Sequence, residues 1–225
     1  MEKICCIISA GDVNFSLLRE KKNDYACFIA ADLGFEKAKE AGIIPSLLVG
    51  DFDSISHSPV SATEKDEFFS KTNIIQFPVE KDYSDTYFAI EEGIKLGYTQ
   101  FHVYGALGGD RFSHSIANLQ MLCAMKSKGV SVTLLGEKEL VYLLNNENLT
   151  LTPPIGSTFS VFSLSDQTTG VSITGAKFPL ENTTLTCDFP LGLSNQSSNE
   201  VVTISAKTGY LLVVLEQEKK NEVEK

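Results

Sequence analysis

Aspartates stand in closely spaced pairs beside short apolar runs. Gly50-Asp51-Phe52-Asp53-Ser54-Ile55 directly follows the apolar run 47–49. Asp51 and Asp53 are two residues apart, so in extended chain they project to the same side. Gly50 lets the backbone turn or a ligand approach closely. Two carboxylates so placed suit Mg²⁺, a hard ion that takes oxygen ligands and keeps some water for phosphate exchange. They equally suit a turn in which Asp and Ser cap a helix. A second cluster, Lys81-Asp82-Tyr83-Ser84-Asp85-Thr86, opens an amphipathic stretch. Asp82 and Asp85 can face the same way once a first helical turn forms. Acids and Ser at a helix start are also favoured as caps and by the helix dipole. Two acidic clusters at two strand ends can converge on one metal or a metal pair.

The third feature runs Gly105-Ala106-Leu107-Gly108-Gly109-Asp110-Arg111-Phe112-Ser113-His114-Ser115-Ile116-Ala117-Asn118. A glycine-rich turn leading into a helix presents backbone N–H groups to phosphate. Arg111 adds a planar cationic fork suited to phosphate oxygens. His114 and Asn118 fall one helical turn apart, on one face. No GxxxxGKS/T sequence occurs, which excludes a P-loop NTPase. Asp32 and Gly34 end another apolar run and either line the same edge or cap the next helix. Ser194-Asn195 sits in a loop rich in Gly and Ser and reads as a turn. His57 and His102 read as structural or exposed.

These residues need a scaffold, and the hydrophobic pattern supplies one. Strand-like runs are expected at 4–9, 25–30, 46–50, 73–77, 100–104 and 130–135. Between them lie helical stretches, one with Tyr87, Ile90 and Ile94 on a face, another with Ile116, Leu119, Leu122 and Cys123. Strand and helix in alternation predict an α/β domain with a mostly parallel sheet over residues 1–137. After 137 helical periodicity fades. Alternating runs such as Leu185, Cys187, Phe189 and Val202, Ile204, Ala206 predict a small antiparallel β domain over 138–225. The charged stretch 216–225 is expected to fray.

Composition narrows the function. Length 225 allows one large or two small domains, and a formal net charge of −10 disfavours nucleic acid and anionic lipid as partners. Five cysteines without a CxxC pair, and three histidines, suit a reducing compartment and disfavour a zinc site. No signal peptide or membrane-span-length apolar run occurs, so a cytoplasmic location is expected.

Taken together the segments resemble the thiamine pyrophosphokinase family. Ala31-Asp32-Leu33-Gly34, Pro45 and Gly50-Asp51-Phe52-Asp53-Ser54 resemble its ADGG…P…GDFDS signature. Lys81-Asp82-Tyr83-Ser84-Asp85 resembles KDxTD, and 105–118 resembles GGRxDHxxxN. Ser194-Asn195, with 201–205 and 209–214, resembles the family's Ser-Asn loop and closing strands. The resemblance implies an N-terminal Rossmann-like catalytic domain and a C-terminal β-sandwich that binds thiamine. It implies ATP and thiamine as substrates, Mg²⁺ as cofactor, and a homodimer with thiamine at the subunit interface. Asp51, Asp53 and Asp85 would then be the metal ligands, with Asp82 close by and the best choice of base. Arg111, Lys81 and the turn with Gly108 and Gly109 would hold ATP phosphates. Asp32, Gly34, Gly50, Ser54, His114 and Asn118 would complete the ATP site, and Ser194 and Asn195 would touch the thiamine pyrimidine. The implied reaction transfers diphosphate from ATP to the thiamine hydroxyl. The alternatives are a related pyrophosphokinase acting on another heterocyclic alcohol, such as a hydroxymethyl pterin, and a non-catalytic thiamine- or nucleotide-binding protein. Ser113 stands where the family has Asp, Asp110 is extra, Ser84 replaces Thr and Leu33 replaces Gly.

Overall fold

The computed structural model describes residues 3–52, 71–78 and 83–217. The chain divides into two compact units, Met1–Glu137 and Lys138–Lys225. In the first, the described elements are β1 (Ile4–Ile8), α1 (Phe15–Lys21), β2 (Tyr25–Ala31), α2 (Gly34–Glu40), β3 (Leu47–Gly50), β4 (Asn73–Gln76), α3 (Asp85–Lys95), β5 (Gln100–Tyr104), α4 (Phe112–Ser127) and β6 (Ser131–Leu135). The strands form a parallel sheet in the order β6-β5-β1-β2-β3-β4.

Strand β1 reads ICCII, and Cys5, Cys6, Ile7 and Ile8 are all fully buried. A continuous apolar run of this kind belongs to a parallel strand covered on both faces. The packing agrees. Gly93 of α3 lies against Phe101 and Cys5, whereas Phe35 of α2 clusters with Ala30 and Leu48 on the other face. All five thiols are free.

The helical faces differ from the sequence expectation. In α3 the buried stripe is Thr86, Ala89, Ile90 and Gly93, with Tyr87 and Ile94 only half-buried. In α4 the buried residues are Ser115, Asn118, Met121, Leu122 and Met125, while Ile116 is 42% exposed. Two polar residues displace the apolar ones because the first turns of this helix must hold a loop. Hydrophobicity alone cannot signal that demand.

The second unit contains β7 (Glu139–Leu144), β8 (Glu147–Leu151), β9 (Thr158–Ser163), β10 (Gln167–Thr174), β11 (Leu180–Thr186), β12 (Gly192–Gln196), β13 (Val202–Ala206) and β14 (Leu211–Glu216). They pair antiparallel in two sets, β12-β9-β14-β7 and β11-β10-β13-β8. Phe159, Val161, Leu211 and Val213 of one set share a core with Val171, Ile173, Val202 and Ile204 of the other. Two antiparallel sheets closed over one apolar layer make a β-sandwich. Val202, Ile204 and Ala206 alternate inward as expected. Cys187 and Phe189 do not: β11 ends at Thr186, and both residues are exposed. Of the charged C-terminal stretch, residues 218–225 lie outside the described residues. No described helix is long and apolar enough to cross a membrane.

Candidate active site

From β1 the sheet grows outward through β2, β3 and β4, then the chain returns to place β5 on the other side of β1. Open α/β sheets bind ligands beyond the carboxyl ends of their strands, at this kind of reversal. Here two loops continue the ladder past the strands. Ser9 N–H donates to Tyr104 O at 2.8 Å, Gly11 N–H to Gly105 O at 2.8 Å and Asp12 N–H to Leu107 O at 3.2 Å. The approach is close enough to demand glycine. A Cβ on Gly105, whose φ is 68°, would lie 2.2 Å from Ser9 O.

The glycine turn is tied on two sides. From α4, Ser115 Oγ accepts from Gly108 N–H at 3.1 Å, and Asn118 Nδ2 donates to Ala106 O at 2.7 Å. From the β1 loop, Asp12 Oδ2 accepts from Gly109 N–H at 3.0 Å. Arg111 is the exposed N-cap residue of α4, with no side-chain capping bond. Within α4, His114 is exposed and Asn118, one turn on, is buried.

At the end of β3, Asp51 is half-buried and the backbone reverses at Phe52, whose φ is 61°. A bulky residue in the left-handed region is strained by about 1–2 kcal/mol. Burying the Phe52 ring among Ala30, Phe35, Leu48 and Ile74 contributes about 1.5–3 kcal/mol and outweighs that strain. The ring folds back over Gly50, where a Cβ would lie 3.0 Å from it. Gly50 therefore makes room for a side chain that holds Asp51 at the strand end.

Asp32 follows β2 directly at φ 46°, with its N–H donating to Val49 O at 2.8 Å. The N-cap of α2 is Leu33, without a side-chain bond. Gly34 has a packing reason for its identity, since a Cβ there would lie 1.9 Å from Ile8 O. At α3, capping falls to Ser84, whose Oγ accepts from Tyr87 N–H at 3.2 Å, leaving Asp85 as the half-buried first helical residue. Thr86 and Ser9 share a buried hydrogen bond of 2.9 Å. That bond sets the start of α3, and with it Asp85, beside the end of β1. Asp53, Ser54, Lys81, Asp82 and His57 lie outside the described residues.

Beneath this edge lies a polar cluster in the core. Tyr25 Oη meets Tyr104 Oη at 2.8 Å and His102 Nδ1 at 3.1 Å. Burial, with Lys21 adding repulsion and Asp24 opposing it, pushes His102 down to about 4. Burial likewise pushes the Tyr25 and Tyr104 hydroxyls up. His102 is thus a structural residue, as the sequence reading held.

In the sandwich, Ser194 is exposed at φ 56°, and its N–H donates to Ser160 Oγ at 3.0 Å. The register between β12 and β9 shifts at this point. Asn195 is buried. Its Oδ1 accepts from the N–H groups of Phe178 and Gln196, and its Nδ2 donates to Phe178 O at 2.7 Å. Ser194 and Asn195 lie within β12, at its register shift, and not in the turn expected from the sequence; the Asn195 amide ties this strand to Phe178. Residues missed in the sequence are Asp12, Ser115 and the Ser9–Thr86 pair. Asp12 carried a signal, because Gly11-Asp12 repeats at the end of β1 the Gly-Asp pattern at the end of β3.

A parallel α/β unit with aspartates and a glycine turn at its reversal point, followed by a β-sandwich, defines a phosphate-handling enzyme built without a P-loop. Two family descriptions match in order: thiamin pyrophosphokinase, catalytic domain, over residues 18–134, and thiamin pyrophosphokinase, vitamin B1 binding domain, over 146–211. The chain belongs to the thiamin pyrophosphokinase family and is an enzyme with that family's diphosphokinase activity. A thiamine pyrophosphokinase of Bacillus subtilis is 24% identical over 193 residues, covering 85% of this chain and 88% of its own. A solved thiamine pyrophosphokinase structure from the same organism is also 24% identical and covers 96% of this chain and all of its own, with TM-score 0.84. The thiamin pyrophosphokinase of Candida albicans is 17% identical, covers 96% of this chain and 90% of its own, and has TM-score 0.78. The two structures are similar in fold.

Proposed function

We propose that the chain transfers the diphosphate group of ATP to the thiamine hydroxyl, releasing AMP and thiamine diphosphate. The carrying observation is the strand-end site at the reversal point, whose Asp51, Asp85 and glycine turn lie within the stretch that matches the catalytic domain. The 1–137 unit takes ATP and the 138–225 unit takes thiamine. The exposed Arg111 guanidinium and Lys81 meet phosphate oxygens, and Gly108 and Gly109 let them come close. Asp32, Gly34, Gly50, Ser54, His114 and Asn118 shape the surrounding nucleotide site.

The donor set fits a hard divalent cation. Asp51 and Asp85 offer carboxylate oxygens at the sheet's carboxyl edge, whereas Cys5, Cys6 and Cys27 are buried within the sheet. Asp51, Asp53 and Asp85 would hold Mg²⁺, which when bound neutralises phosphate charge. Catalysis by the chain is then mostly positioning of two substrates for in-line attack on the β-phosphorus. Asp82 accepts the proton from the thiamine hydroxyl. Ser194 and Asn195 of β12 meet the thiamine pyrimidine. Exposed Phe178, Phe189, Leu191 and Leu193 around Ser194 support a homodimer that closes over it. The enzyme works in the cytoplasm.

The test is incubation with Mg²⁺, ATP labelled at the β-phosphorus and a panel of heterocyclic alcohols. The expected result is label in thiamine diphosphate with one AMP released per product. ADP release with thiamine monophosphate would overturn the mechanism. Tight thiamine binding without nucleotide turnover would show a binding protein instead.

A further inference from the structure

We infer that Asp12 is a positioning residue for ATP, its carboxylate holding the glycine turn 105–109 in the shape that receives phosphate. The inference rests on the reading of that turn as the phosphate site.

The turn contains three glycines at positive φ: Gly105 at 68°, Gly108 at 71° and Gly109 at 76°. Glycine loses more conformational freedom on ordering than any other residue. A turn so built meets a ligand at low cost only if other groups order it beforehand. Ser115 and Asn118 restrain it from the helix side. Asp12 restrains it from the opposite side and at two points: its N–H donates to Leu107 O at 3.2 Å and its Oδ2 accepts from Gly109 N–H at 3.0 Å. The fit is mutual. A Cβ on Gly108 would lie 2.3 Å from Asp12 Oδ2, so the carboxylate occupies space that a non-glycine residue at 108 would need.

The base of the clasp is itself fixed. Before Asp12, Gly11 N–H is bonded to Gly105 O. After it, Val13 is buried, and Asn14 Oδ1 caps α1 by accepting from Leu17 N–H at 3.0 Å. Asp12 is exposed, so its carboxylate holds the turn at the solvent-facing rim and not inside the core. Ordering of this kind acts alike on bound ATP and on the transition state. It should therefore appear in KM for ATP and not in kcat.

Steady-state kinetics with each substrate varied tests this. Asp12→Ala should raise KM for ATP by about 5–10-fold while kcat and KM for thiamine stay within about twofold. Asp12→Asn keeps an accepting side-chain oxygen and should recover most of the wild-type KM. Unchanged KM for ATP in Asp12→Ala overturns the inference. A lower KM in both variants also overturns it, since Asp12 would then act by repelling phosphate. Arg111→Ala, measured in parallel, separates the two levels of the argument. If Arg111→Ala weakens ATP and Asp12→Ala does not, the phosphate site stands and the role of Asp12 falls. If neither variant weakens ATP, the reading of the turn falls with it.

Discussion

Phe52 keeps a left-handed backbone because its ring is buried and because Gly50 leaves space for that ring. A methyl group at residue 50 would press on the ring and stand 3.3 Å from Asp32 Cα. Gly50→Ala should therefore destabilise the protein by about 1–3 kcal/mol and lower turnover, because Asp51 and Asp53 flank the residue that must move. Urea unfolding and turnover, measured on the same preparation, check it; an unchanged midpoint with unchanged turnover would refute the account. Asp53→Asn addresses the proposed metal ligand. It should leave the fold intact and reduce turnover by at least about 100-fold, as loss of preorganised charge stabilisation does elsewhere. A folded Asp53→Asn variant with near wild-type turnover would remove Asp53 from the metal set. The Gly-Asp and Asp-Phe-Asp patterns were legible in the sequence. The strain at Phe52 was not, since it depends on which residues surround the ring.

Helix α4 shows how an element can serve a site through its buried face. Asn118 is 7% exposed, and its amide satisfies the carbonyl of Ala106. Asn118→Ala should cost about 1–3 kcal/mol, because the buried carbonyl loses its partner. Ile116, which hydropathy alone would send inward, is exposed, so Ile116→Ala should change stability by no more than about 0.5 kcal/mol. Chemical denaturation of both variants distinguishes the observed face from the expected one; equal losses would contradict it. The strands of the first unit were legible to within a residue or so at either end, because most of them are apolar runs covered by helices, whereas in the second unit the run through Phe189 overshot β11 and Ser194-Asn195 read as a turn instead of part of β12. The helix faces were less so, because Ser115 and Asn118 take core positions to hold the glycine turn.

At the scale of the molecule, the buried Tyr25–His102–Tyr104 cluster links the fold to pH. His102 titrates near 6.5 in the unfolded chain and near 4 when folded. Between those values the unfolded state binds the extra proton, so stability falls as pH falls from about 6.5 to about 4. Loss on the order of 2–3 kcal/mol is expected across that window, and His102→Gln should flatten it. Melting temperatures of both proteins at several pH values read the effect; parallel curves would rule it out. Assembly depends on exposed apolar surface. Leu193 is 58% exposed beside Ser194 in β12. Leu193→Glu should weaken the proposed dimer and raise KM for thiamine, with sedimentation and kinetics as the readouts. An active wild-type monomer at assay concentration would refute the dimer.

Hydrophobic periodicity alone separates the two kinds of architecture, changing near residue 137 from helix-and-strand alternation to short alternating strands. The sequence also marked the glycine turn and most of the acidic strand ends, whose residue types advertise their chemistry. The meeting of Asp12 with Gly109 across 97 positions of chain, and of Ser9 with Thr86 across 77, emerges only in the folded molecule. Contacts of that separation depend on strand order. Strand order arises from packing the sheet as a whole, and no local pattern encodes it.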